Sequence, residues 1–232
     1  MIGWHKLLGI SFVDYFTDTP YSVDIEKELE IPQYLDYIIL ENTEVDNQLI
    51  DPPDGFESLN KYNLITYKSS QESLNGWALN ELISYYVLYR KILSALAEKK
   101  DKKKLVPPEL FKLFAVSTRF PVKLLKNERY KELKEGIFQI KQGDQYVDII
   151  VVSKLPKTKN NAFWHLFGLD QESIEFGFNN YQWNREDIKY YIFNELSKLK
   201  GGKHMSYTVD DFKREVVRKN KHLFTWNDFV KY

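Results

Sequence analysis

Apolar residues recur at helical spacing from the start of the chain. Trp4, Leu7, Leu8, Phe12 and Tyr15 or Phe16 share one side of a helix read over residues 2–16. Pro20 closes it, because a proline disfavours helical backbone in the residue before it. SVDIEKELEI then sets Val23, Ile25, Leu29 and Ile31 against charged residues, the pattern of a strand with one wet face. Its phase breaks at Glu26–Lys27–Glu28, which predicts a bulge or bend, and Glu26, Glu28 and Glu30 read as the solvated side. Pro32 separates this strand from a second, YLDYIIL (34–40), and YNLITYK (62–68) is a third. Between the last two, NTEVDNQLIDPPDG is turn chemistry, in which Asp46, Asp51 and Asp54 read as ordinary loop residues. A long helix follows from near Leu74, with Leu74, Trp77, Ala78, Leu82, Tyr85, Leu88, Tyr89, Ile92 and Leu96 assigned to its buried stripe. Residues 69–72 (Ser-Ser-Gln-Glu) offer caps for it.

The second half continues the alternation of strands and helices. EKKDKKK (98–104) is a charge run of the kind that makes a solvated connection. FKLFAVSTRF is a core strand that Pro121 stops, and PVKLLKNERYKELK is a short basic helix or loop. GIFQIKQGDQYVDIIVVSKL is a β-hairpin around Gln142, Gly143 and Asp144. From Gln182 onward the chain reads as helical, and MSYTVDDFKREV opens on a Thr208 cap with aspartates in its first turn. The whole predicts a mixed α/β domain over residues 1–180 with a helical C-terminal extension over 181–232.

Composition narrows the classes. Lysine plus arginine (33) equals aspartate plus glutamate (33), so no global field draws the protein to nucleic acid and any DNA contact needs a local patch. Cysteine is absent, which excludes disulfides and thiolate metal sites and suits a reducing cytoplasm. No apolar run approaches the roughly 20 residues of a membrane span, and no signal peptide is visible, so the expectation is a soluble cytoplasmic protein with no membrane partner. The GxSxG elbow, Walker loop, GxGxxG and HExxH motifs are all missing from the sequence.

Candidate chemistry lies where polar residues interrupt apolar elements. Asp36 sits inside YLDYIIL, where aspartate is disfavoured; it is either a site carboxylate or a strand-end residue that caps a neighbouring backbone or meets an arginine. Thr66 and Lys68, two apart, emerge on one face of the next strand. Glu81 falls inside the helical stripe, where a carboxylate needs a partner or a role. Asp148 interrupts its own strand in the same way as Asp36. His165 has no second donor at ligand spacing and reads as a packed histidine.

An Asp on one strand and a Lys on the next, two residues after a polar position and followed by a helix, resembles the PD-(D/E)XK nuclease superfamily. The longer stretches DGFESLNKYNLITYKSSQESLNGWALNELISYYVLYRK, FKLFAVSTRFP and MSYTVDDFKREV are similar to a group of bacterial, largely cyanobacterial, proteins of that superfamily whose function is not established. The resemblance implies a restriction-endonuclease-like mixed sheet flanked by helices. It also implies a Mg²⁺-dependent phosphodiester (DNA) hydrolase with Asp36 and Lys68 in the site. The family's second carboxylate stands two residues before the lysine, where this chain has Thr66. Either the site is dead and the scaffold binds nucleic acid or protein, or the carboxylate has moved to Glu81, 13 residues beyond Lys68 on the following helix. On the second reading Asp36 and Glu81 hold the metal, with Thr66 and Tyr85 as neighbours. The alternative to a metal is a buried Lys68–Glu81 pair.

Overall fold

The computed structural model of the chain describes residues 3–29, 31–41, 51–97 and 105–198. The charge run 98–104, Asp46, the side chains of Glu26, Glu28 and Glu30, and the helix expected from MSYTVDDFKREV lie outside the described part. In chain order the elements are α1 (Trp4–Tyr15), β1 (Tyr21–Leu29), β2 (Ile31–Glu41), β3 (Tyr62–Lys68), α2 (Gly76–Ala97), β4 (Phe111–Ser117), α3 (Val122–Asn127), β5 (Tyr130–Lys134), β6 (Ile137–Gln142), β7 (Gln145–Val151), α4 (Ala162–His165), α5 (Gln171–Asn180) and α6 (Glu186–Lys198). The seven strands make one mixed sheet in the order β1-β2-β3-β4-β7-β6-β5. Its two flanks are antiparallel, and β3, β4 and β7 run parallel through the middle.

The central position of those three strands follows from their composition. ITY, LFAV and VDIIV are near-continuous apolar runs, which suit strands covered on both faces. Alternate residues feed two cores. Ile39, Ile65, Tyr67, Phe114, Val116 and Ile150 join α1, α4, α5 and α6 on one face. Ile38, Leu64, Leu113, Ala115, Val147 and Ile149 meet α2 and α3 on the other. The first core is largely aromatic: Phe12 and Trp164 each lie within 4.9–6.1 Å of one another and of Phe56 and Phe163, ring centre to ring centre. Phe56 reaches it from the long β2–β3 connection. The adjoining Gly55 has φ of +95°, and a Cβ there would stand 2.7 Å from Ile150 Cδ1, so only glycine allows this approach.

The pairing expected between YLDYIIL and YNLITYK is present, with Tyr37 opposite Ile65 and Leu40 opposite Tyr62. Several expectations need correction. Pro32 lies within β2, whose first residues pair with β1, so it does not divide two strands. The register slip of β1 falls between Glu28 and Leu29, one step beyond the predicted break. The basic stretch after Pro121 divides into α3 and the wholly exposed edge strand β5. α2 is capped by Asn75, whose Oδ1 accepts the Ala78 N–H at 3.0 Å, and not by residues 69–72. Trp77 is 72% exposed, since it sits about 140° around the helix from Leu82, and Leu96 in the last turn is 63% exposed. The buried stripe of α2 is rotated from the predicted one: Leu79 and Tyr86 join Ala78, Leu82 and Tyr89, with Leu74 buried just ahead of the helix.

α6 opens the stretch expected as a C-terminal extension. Ile188, Ile192, Phe193 and Leu196 belong to the same core as Leu7, Leu8 and Phe12 of α1. Its N-terminus is held by Asp14 of α1, whose carboxylate accepts the backbone N–H of Asn184 at 3.3 Å and of Arg185 at 2.5 Å. The Tyr181 hydroxyl donates to the same carboxylate at 3.0 Å. Burial pushes the Asp14 carboxyl above its usual value despite these donors.

Candidate functional site around Asp36

Asp36 stands where the β2–β3 ladder ends. The last matched pair is Tyr37 with Ile65. Beyond it the Asp36 side chain replaces a backbone acceptor: Oδ2 takes the Tyr67 N–H at 2.8 Å and the Thr66 hydroxyl at 3.0 Å. This is the strand-end capping role weighed for it from sequence, with Thr66 as a second donor. On the other side, His5 Nδ1 lies 3.6 Å from Oδ1, an ion-pair distance longer than a hydrogen bond. Burial pushes the Asp36 pKa up. The His5 contact, the Tyr67 N–H and the positive charges of His5 and Lys68 outweigh it and hold the carboxyl below its usual value.

His5 extends the site to a residue that sequence reasoning missed. Its Nε2 meets Glu72 Oε2 at 3.0 Å, and the same oxygen accepts the Ser69 N–H at 3.2 Å and the Ser69 hydroxyl at 2.9 Å. The imidazole thus bridges two carboxylates, one from β2 and one from the β3–α2 connection. Its ring packs edge-on against Tyr67, and its backbone carbonyl accepts the Tyr37 hydroxyl at 2.6 Å. The Asp36 contact raises the His5 pKa most, burial opposes it, and Glu72 adds to the rise. The Glu72 carboxyl, pushed up by burial, is brought below its usual value by His5 and Ser69. No spacing in the sequence joins residues 5, 36 and 72; they meet because α1 lies against the β2–β3 end.

The remaining predicted site residues lie on the α2 side of the sheet. By strand alternation Thr66 and Lys68 share the face of Leu64, while Asp36, at the ladder end, reaches both Thr66 and His5 of α1. Glu81 and Tyr85 are half-buried on α2, one turn apart. The Tyr85 phenol is raised by burial and by the negative charges of both Glu81 and Asp36, so the two carboxylates act on one neighbour. Lys68 acts on Asp36 through its charge, and no salt bridge joins it to Glu81 among the described residues.

Mg²⁺ fits this donor set poorly. Hard divalent cations need several oxygens with free lone pairs. One Asp36 oxygen already accepts two hydrogen bonds, the other faces an imidazole, and Thr66 adds only a neutral hydroxyl where a second carboxylate would serve. Among the described residues no group of three or more His, Cys, Asp or Glu side chains is placed to hold a metal ion.

The other polar residues noted in the sequence have structural surroundings. Asp54 is an anchor, not a plain loop residue: its carboxylate accepts Asn161 Nδ2 at 2.7 Å and pairs with Lys134, and its carbonyl accepts Trp164 Nε1 at 3.0 Å. His165 is 3% exposed, with Nε2 against the Pro156 carbonyl at 3.2 Å, and burial lowers its pKa. Asp148 pairs with Gln139 and Lys112. No helix among the described residues is long and apolar enough to cross a membrane. Comparison with protein-family models, curated proteins and solved structures finds no match.

Proposed function

We propose that the chain is a PD-(D/E)XK-like domain of restriction-endonuclease-like architecture whose degenerate site binds nucleic acid without cutting it. One observation carries the reading: Thr66, at the usual acidic position, donates its hydroxyl to Asp36, so the pair forms a closed hydrogen bond in place of an open pair of carboxylates. An Asp-bearing strand beside a Thr-x-Lys strand, with α2 following and packed across them, supports the family reading. Lys68 supplies the positive group available to a phosphate. The expected result is salt-sensitive binding of short DNA that needs no metal, is weakened by Lys68→Ala and is not followed by strand breakage in Mg²⁺ or Mn²⁺. Metal-dependent cleavage abolished by Asp36→Asn would overturn it.

A second reading keeps the enzyme, with the ligand carboxylate moved to Glu81. What favours it is placement: Glu81 is half-buried one turn before Tyr85 on α2, near enough with Asp36 for both negative charges to raise that phenol. A working nuclease of this kind would use Asp36 and Glu81 to orient a hydrated Mg²⁺, and Lys68 to stabilise the charge that develops on the phosphate.

A further inference from the structure

A cleft at the N-terminal end of β4 lies on the opposite face of the sheet from Thr66 and Lys68. Phe114, Asp148 and Gln139 stand side by side across β4, β7 and β6, and Lys112 and Tyr146 continue that row by strand alternation. Elsewhere this face is apolar core. Here its floor is polar and it encloses about 390 Å³, rimmed by Asn60, Pro108, Glu109 and Asp144, a volume in the range of small-molecule sites.

The floor is neutralised internally, and the rim carries the uncompensated charge. Asp148 is 6% exposed and accepts Gln139 Nε2 at 2.7 Å, with Lys112 Nζ 3.4 Å from its other oxygen. That ammonium also donates to the Ser58 carbonyl at 2.8 Å and the Ser58 hydroxyl at 3.0 Å. Ser58 thus takes two of its hydrogens and Asp148 neutralises its charge, which leaves it a weak point of attachment for an anionic ligand. The rim carboxylates of Glu109 and Asp144 form no ion pair among the described residues. Tyr146 leaves 56% of its surface open, and Lys141 Nζ already lies 5.9 Å from its ring centre, as a cation does over an aromatic face.

We propose that this cleft binds a small organic cation carrying several N–H donors, of the primary-amine or guanidinium type. Glu109 and Asp144 neutralise it, the Tyr146 ring packs on it, and the Gln139 amide oxygen accepts from it. The assignment is independent of the Asp36 site. Agmatine, which carries one end of each type, and putrescine, which carries only amines, are titrated into the full chain by calorimetry and followed by the Tyr146 ring signals in NMR. The expected result is saturable binding at or below about 1 mM with shifts at Tyr146. The Glu109→Gln/Asp144→Asn double variant should bind roughly fivefold more weakly, the scale of two exposed charge contacts. These rim changes leave the buried Asp148 pair intact, so folding does not confound the result. Absence of saturable binding by both amines, equal binding by the double variant, or preference for inorganic phosphate would overturn the assignment.

Discussion

Single side chains decide the chemistry at the β2–β3 end. Asp36 spends its carboxylate on a backbone N–H, a threonine hydroxyl and an imidazole, which makes it the hub of a clasp joining α1, β2 and the β3–α2 connection. The shifts fix the sign of its pH dependence. The raised His5 pKa contributes stability that is complete below 6.5 and lost as pH rises through the folded value. The lowered Glu72 and Asp36 pKa values contribute stability present above 4.5 and 3.8, and lost as pH falls through their folded values. The clasp is therefore strongest between about pH 4.5 and 6.5. His5→Gln should lower the melting temperature most near pH 5.5, and the difference from wild type should narrow by pH 9. A difference constant across that range would show that the contact with the carboxylates is not ionic.

Contacts between elements set the next scale, and Asp14 is the test case. It caps α6 from outside, through Asn184 and Arg185, and ties in Tyr181. Asp14→Ala leaves these part-buried donors without their acceptor and should cost about 0.5–2 kcal/mol in denaturant unfolding, the scale of a lost helix cap. Asp14→Asn, which keeps one carbonyl oxygen, should recover part of that loss. This cap also marks the limit of what the sequence could reveal. Apolar period gave α1, β3, α2, β4 and the β6–β7 hairpin, because burial imposes that period directly. β5 was missed because YKELK is wholly exposed and carries no such imprint. Trp77 departs from its assignment because the buried stripe is rotated towards Leu79 and Tyr86, which apolar spacing alone does not distinguish. Asp36, Thr66 and Lys68 were legible as polar breaks in apolar strands. Their partners His5 and Glu72 were not, since a contact spanning 67 residues of chain leaves no local pattern.

At the scale of the whole molecule, a seven-stranded sheet with helices on both faces brings an aspartate, a threonine, a lysine and a half-buried glutamate to the neighbourhood of one ladder end. The Asp36–Thr66 bond stands just beyond the last β2–β3 ladder pair, Tyr37 with Ile65. The central claim is that this arrangement is closed to a divalent cation, and calorimetric titration of Mn²⁺ and Mg²⁺ into the wild-type protein tests it most directly. The account predicts no saturable binding at millimolar metal, with Glu81→Gln altering only thermal stability. Stoichiometric binding in the wild type that Glu81→Gln and Asp36→Asn each abolish would contradict it and restore the moved-carboxylate nuclease.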